Sequence, residues 1–346
     1  MRSETMQFTQ RFIHTFKENL YKDTWFTNSV DDSWYDQSIE FNLYYQPPYI
    51  WTAMIDYLSK RAIPGVEIVQ DNYYARTVLL KDSTTKRAVK GWLKIKNNIK
   101  INALLVEMSV SLIPEWHKVV QKLQHLFDLE VNPEIINKTL NEQWITLGLR
   151  VPGAFNGFEL GVRAILGQQI TVKAATTISG RLVHALGTSF KTKITGLDTL
   201  FPIPEKFVRL AHGDIPISDI LGPLGVTGRR SNTIAALAEA LVNNEVQLNP
   251  IVQGAESPLP FSRHTVQMET AEAEMKQLLA IKGIGKWTAQ YIGMRALGYT
   301  DSFLETDIGI KNAMPNHTTS KSRLVAAEKW HPVRSYAVDN LWNTLN

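Results

Sequence analysis

A chain of 346 residues, 44% hydrophobic and 20% charged, exceeds the usual span of one compact domain, so two or three domains with real cores are expected. It contains no cysteine, which excludes disulfides, thiolate metal sites, iron–sulfur clusters and cysteine nucleophiles together. No apolar run approaches the roughly 20 residues that span a bilayer, and a net charge of +4 permits a nucleic-acid partner without requiring one.

The amino end, MRSETMQFTQRFIHTF, lacks the apolar core of a secretory signal, and a cytoplasmic location is expected. Phe8, Phe12, Ile13, Phe16 and Leu20 recur at helical spacing and predict an amphipathic helix docked on its own protein, followed by an acidic connector to residue 37. From Ser38 to about Leu112, SIEFNLYY, VEIVQDNYYARTVLL, VKGWLKIK and INALLVEMSV are rich in β-branched and aromatic residues and predict strands. One helix interrupts them, from Tyr49 to about Ala62, opened by Pro47-Pro48. From Glu115 the pattern is helical: EWHKVVQKLQHLFDL, NPEIINKTLNEQW, AFNGFELGVRAILGQQITVKAATTISGRLVHALG and SNTIAALAEALVN. The polar stretch from Leu248 to His264 predicts a surface loop. The expected fold is therefore an α+β amino-terminal domain, an antiparallel sheet with helices over residues 38–148, followed by an all-α body over 149–346, with 1–37 as an appended helix and connector.

In LLAIKGIGKWTAQY, Leu278 to Tyr291, two helical segments leave only Lys282-Gly283-Ile284-Gly285 as their connection. So tight a turn needs glycine dihedrals, an apolar Ile284 can pin the two helices, and the uncapped N–H groups of the second helix suit an anion such as a DNA phosphate. An ordinary helical hairpin would show the same glycines. On the second helix Ala289, Ile292, Gly293 and Ala296 share one face, while Trp287 and Tyr291 stack on a nearly opposite one, in the core or on the wall of a cleft. Asp307, in YTDSFLETDIGIKNAM, stands at the start of a further short helix, either as a plain N-cap or as a carboxylate aimed at a substrate. Glu305, two residues before it, is expected at the surface.

The series of glycine hairpin, helix, loop and aspartate resembles the helix-hairpin-helix superfamily of DNA base-excision glycosylases. More narrowly, QPPYIWTAMIDYLSKRAIPGVEIV, NYYAR, LFDLEVNPEIIN, PGAFNGFELGVRAILGQQITV and HPVRSYAVDNLW resemble the AlkA-type 3-methyladenine DNA glycosylase II family, over roughly Ile39 to Trp342. The resemblance implies Asp307 as the catalytic aspartate, Trp287, Tyr291, Trp342 and Tyr57 as aromatics of a base pocket, and Gly283, Ile284, Gly285 and Lys286 as the phosphate grip. It implies Gln169 as the residue filling the gap left by an extruded nucleotide. Trp287 stands where bifunctional relatives carry a lysine, and an indole cannot form a Schiff base, so no lyase activity is expected. Departures from the family pattern are Gln169 for a leucine wedge, Lys282 for a hairpin proline, Val333 for a tryptophan and Asn343 for an aromatic; Arg334 is left between a structural role and a DNA contact.

The implied function is a monofunctional glycosylase that excises alkylated purines such as 3-methyladenine and 7-methylguanine from damaged double-stranded DNA, leaving an abasic site. No cofactor or catalytic metal is expected, although a monovalent cation on hairpin carbonyls is allowed. No membrane or protein partner is expected, and the chain should be a monomer. A glycosylase for deaminated or oxidised purines and a non-catalytic hairpin DNA-binding protein are the alternatives.

Overall fold

The computed structural model describes residues 36–249 and 260–345; the predicted amino-terminal amphipathic helix lies outside them. The first strands form a five-stranded antiparallel sheet in the order β1-β5-β4-β3-β2, with β1 Ser38–Tyr44, β2 Glu67–Gln70, β3 Tyr73–Lys81, β4 Ala88–Asn98 and β5 Ala103–Ser109. The stretch VEIVQDNYYARTVLL is not one strand but a hairpin, since Asp71 and Asn72 both take positive φ and turn the chain between β2 and β3. Asx residues tolerate that conformation, and a two-residue turn of this kind matches strand twist. Leu104, Val106 and Met108 recur at the strand period and are buried with Leu93 and Ile95 of β4. The helix α1, Trp51–Ser59, closes the same core with Trp51, Met54 and Leu58, and α2, Trp116–Leu126, adds Val119, Val120, Leu123 and Leu126.

Beyond α3, Pro133–Leu140, the chain enters the helical body. The predicted long helix after Pro152 is two helices, α4 Gly157–Leu166 and α5 Val172–Leu186. They break at residues 167–171 because Gln169 takes a φ of 59° and the Thr171 hydroxyl accepts from Ala174 N, starting a new helix. Helix α4 is buried along nearly its whole length and forms the spine of the body, packed by α8, Gly228–Val242, and α10, Lys286–Ile292. A two-stranded β6–β7 ribbon, Thr188–Ser189 with Thr199–Leu200, and the short helices α6 Pro204–Ala211 and α7 Ile217–Leu221 were not anticipated; each is too short to give a clear period. Helix α9 spans Pro260–Ala280, so residues 260–264 are helical and not loop. The chain then continues through a π turn, Gly293–Leu297, and α11 Ile308–Ala313, α12 Ser320–Ala327 and α13 Arg334–Asn343.

The sheet domain and the body are joined by buried charge. Arg76 of β3 donates to Glu159 of α4 at 2.7 Å, Arg163 of α4 donates to Glu67 of β2 at 3.1 Å, and Tyr74 gives its hydroxyl proton to Glu67 at 2.6 Å. Burial works against the Arg76 charge, but Glu159, Tyr74 and Glu67 more than offset it and hold the guanidinium firmly ionised. Arg163 also donates to the Arg61 carbonyl, two residues beyond α1, and so ties the end of the Tyr57 helix to the body.

Candidate active site

The connection between α9 and α10 is the expected glycine hairpin. Gly283 has a φ of +99°, and a Cβ there would sit 2.0 Å from the Thr233 hydroxyl of α8, so both dihedral and space demand glycine. Thr233 in turn donates to the Lys282 carbonyl at 3.1 Å. Gly285 differs: a Cβ there would meet nothing within 4 Å, and no side chain caps α10. Its bare backbone faces open ground where an anion can approach N–H groups. Ile284 is buried and pins the hairpin, as expected.

Two hairpin carbonyls are engaged by protein donors, Lys282 O by Thr233 and Gly283 O by the Gln168 amide at 3.0 Å, and Ile281 O accepts from Ile284 N. A monovalent cation on these carbonyls would share them with those donors. Gln168 also donates to the Thr288 hydroxyl at 3.2 Å, and the Arg230 guanidinium donates to the Gln168 carbonyl. The neighbouring Gln169 is thus carried, exposed and at positive φ, on a turn bolted to the hairpin.

Helix α10 divides as its sequence pattern predicts. Ala289 and Ile292 are buried against the body, while the Trp287 and Tyr291 rings stack with centroids 5.0 Å apart and planes at 8°. Both rings line a cleft of about 1890 Å³, together with Tyr57, Gln169, Asp307 and Trp342, so they are cleft wall. Asp307 caps α11 and also lines the cleft. Oδ1 accepts from Ile310 N at 3.1 Å as the N-cap of α11, and from Trp342 Nε1 at 2.8 Å; Oδ2 accepts from Trp287 Nε1 at 3.1 Å. Three donors against roughly four lone-pair positions leave the carboxylate oriented with capacity to spare.

Gly309 allows this arrangement, since a Cβ there would lie 2.7 Å from Trp342 Cδ1 and 2.8 Å from its Nε1. Tyr57 reaches in from α1, its hydroxyl 3.1 Å from that of Tyr291. Beneath the rings lies Arg295, fully buried, bound to Asp339 at 2.5 Å and to the Pro152 carbonyl at 2.8 Å. Its guanidinium is 4.6 Å from the Tyr57 ring centroid and 5.6 Å from that of Trp342.

One expectation changes. Glu305 is not at the surface but 5% exposed, and it accepts from Lys286 Nζ at 2.6 Å. Lys286 therefore carries an ion pair to the loop of Asp307 as well as an exposed stem beside the hairpin. Arg334, left open above, has a structural partner: it donates to buried Asp301 through Nε at 2.8 Å and to Glu328 at 3.2 Å. Arg295 was not anticipated, although Trp287, Tyr291 and Arg295 follow one another at four-residue spacing; Gln168 and Gly309, by contrast, carry no signal separable from ordinary loop composition.

Two family models match the chain in succession. Residues 40–156 match the AlkA N-terminal domain, and residues 162–331 match the HhH-GPD superfamily base excision DNA repair protein. The chain is 34% identical over 308 residues to DNA-3-methyladenine glycosylase 2 of Escherichia coli (strain K12), covering 88% of this chain and 97% of the relative. It belongs to that AlkA-type glycosylase family. Among solved structures, 3-methyladenine DNA glycosylase from Archaeoglobus fulgidus superposes with a TM-score of 0.66 at 19% identity, covering 88% of this chain and 97% of the other. The Clostridium acetobutylicum 8-oxoguanine glycosylase/lyase, solved with double-stranded DNA, gives 0.61 at 14% identity, covering 90% and 98%. These two likenesses establish the glycosylase fold. The cleft is composite: Tyr57 lies in the first matched segment, the hairpin and Asp307 in the second, and Trp342 beyond both.

Proposed function

We propose that this AlkA-type chain is a monofunctional DNA glycosylase that extrudes alkylated purines from duplex DNA and hydrolyses their glycosidic bond, leaving an abasic site. The observation that carries this reading is the carboxylate of Asp307 held between the N–H groups of Trp287 and Trp342 at an aromatic cleft beside the hairpin.

A base within a duplex must leave the stack, at a cost of a few kcal/mol. Phosphate held at the bare backbone of Gly285, with Lys286 adjacent, anchors the strand, and Gln169 on its exposed turn occupies the vacated space. Stacking on Trp287, Tyr291 or Trp342 returns roughly 1–3 kcal/mol per base contact. An alkylated ring nitrogen makes the purine a good leaving group, so the C1′–N bond lengthens first and its electron pair departs with the base. Positive charge grows on the sugar, and the Asp307 carboxylate, already oriented by its three donors, stabilises it and guides water to C1′. The attacking water gives its proton to solvent. Position 287 offers an indole and no amine, so the strand stays intact.

The test is release of labelled bases from methylated duplex DNA by the purified chain and by Asp307→Asn, with strand breaks scored before and after alkali. Release lost in the variant, with breaks appearing only after alkali, is expected. Salt-sensitive duplex binding without release from any alkylated or deaminated substrate would favour a non-catalytic DNA-binding protein.

A further inference from the structure

The cleft contains a polar element that stacking and charge do not use. Tyr57 Oη and Tyr291 Oη lie 3.1 Å apart, one from the sheet domain and one from α10, and both side chains line the cleft. Two hydroxyls sharing one hydrogen bond spend one proton on each other, so a second proton remains for an acceptor. Their surroundings favour an acceptor over a donor. The Arg61 guanidinium lies 3.9 Å over the Tyr57 ring, Arg295 lies 4.6 Å from the same centroid and 5.9 Å from that of Tyr291, and Arg163 stands nearby. The carboxylates packed among these guanidiniums are paired, Asp339 with Arg295, and Glu67 and Glu159 with Arg76 and Arg163, while Asp307 on the same cleft is held by the Trp287 and Trp342 N–H groups. The two hydroxyls part company: burial outweighs Arg295 and Arg61 at Tyr57 and pushes it up to about 12, whereas at Tyr291 Arg61, Arg295, the bond with Tyr57 and Arg163 together outweigh burial and lower it.

The resident Arg295 charge also alters how the rings treat a lesion. A cationic base stacked on Tyr291 or Trp342 also meets the Arg295 guanidinium within 6 Å of both ring centroids, and its charge, offset in part by Asp339, works against the attraction of an aromatic face for positive charge. The hydroxyl pair adds a means of discriminating by the base edge that does not depend on lesion charge.

We infer that the Tyr57–Tyr291 hydroxyl pair is a specificity determinant that favours purines carrying a carbonyl at C6 over those carrying an amine there. The inference rests on the glycosylase reading and deepens it by naming the favoured lesion class. A C6 carbonyl accepts the spare hydroxyl proton, whereas a C6 amine presents donors to a pair already crowded by cations.

Single-turnover release of three bases separates edge from charge: hypoxanthine, neutral with a C6 carbonyl; 7-methylguanine, cationic with a C6 carbonyl; and 3-methyladenine, cationic with a C6 amine. The native chain is compared with Tyr57→Phe, Tyr291→Phe and the double variant, each first shown by circular dichroism to be folded. In the double variant the release ratios of hypoxanthine and of 7-methylguanine to 3-methyladenine should both fall, by roughly 10-fold for the loss of one such hydrogen bond. Ratios unchanged in every variant, or 7-methylguanine moving with 3-methyladenine, would overturn the inference while leaving the glycosylase reading intact. No release of any of the three by the native chain would remove both.

Discussion

Lys286 Nζ lies 2.6 Å from Glu305 Oε1, so the residue that follows the glycine hairpin is tied to the loop that delivers Asp307. The carboxylate end of this pair is nearly inaccessible while the lysine side chain is 57% exposed. The pair is thus lopsided, and removing either end is not equivalent.

Lys286→Ala leaves a buried carboxylate without its cation and should cost about 1–2 kcal/mol, the lower figure reflecting solvent screening of the exposed lysine. Combining it with Glu305→Gln should restore most of that loss. Urea unfolding of the two single variants and the double completes the cycle; additive effects would show that the pair carries no coupling.

Gly309→Ala should act on catalysis through Trp342. The added methyl group would press on the indole and part its N–H from Asp307 Oδ1. Displacement of such a group by about 1 Å costs on the order of 100-fold in rate. Binding to DNA containing an abasic site should change far less than the rate of base release, and a rate unchanged from native would refute this placement of Trp342.

The charged bridge between the domains should be sensitive to its anion. Glu159→Gln leaves Arg76, which is 4% exposed, with weakened partners, and a loss of about 3–5 kcal/mol is expected. Replacing Arg76 with Met in the same background should recover part of it. Thermal unfolding of both variants provides the comparison.

Two titrating groups at the domain junction oppose one another. Burial pushes the Asp128 carboxyl up to about 6, against the pull of Arg150, and burial pushes His125 down to about 4. Folded Asp128 holds its proton more tightly than the unfolded chain does, so its contribution to stability falls as pH rises from 3.8 to about 6. Folded His125 holds its proton less tightly, so its contribution rises from about 4 to 6.5. Each effect is on the order of 3 kcal/mol, and they largely cancel. Asp128→Asn should therefore make stability climb more steeply with pH across this window than in the native chain; parallel profiles by urea titration would contradict the pairing.

Much of the site was legible because its chemistry obeys local periods. Trp287 and Tyr291 are four residues apart, and that spacing alone placed them together on the face away from Ala289 and Ile292. The glycines at 283 and 285 were recognisable as a hairpin, but their separate reasons were not, since Thr233 presses on Gly283 from a helix 50 residues earlier in the chain. Glu305 was misplaced for the same reason: a lone glutamate near a helix start reads as solvent-facing until the lysine that neutralises it is seen beside it. The strands were legible from composition, while the Asp71-Asn72 turn was hidden inside a run of β-forming residues. Nothing in the spacing of Tyr57 and Tyr291, 234 residues apart, could bring their hydroxyls together.

That contact across the domain boundary has a thermodynamic consequence. A base seated in the cleft touches groups supplied by both domains, so its binding free energy is available only to molecules in which both are folded and docked. Saturating ligand, a purine base or abasic duplex, should then raise the melting temperature of the two domains as a single cooperative step, even where the unliganded chain unfolds in two.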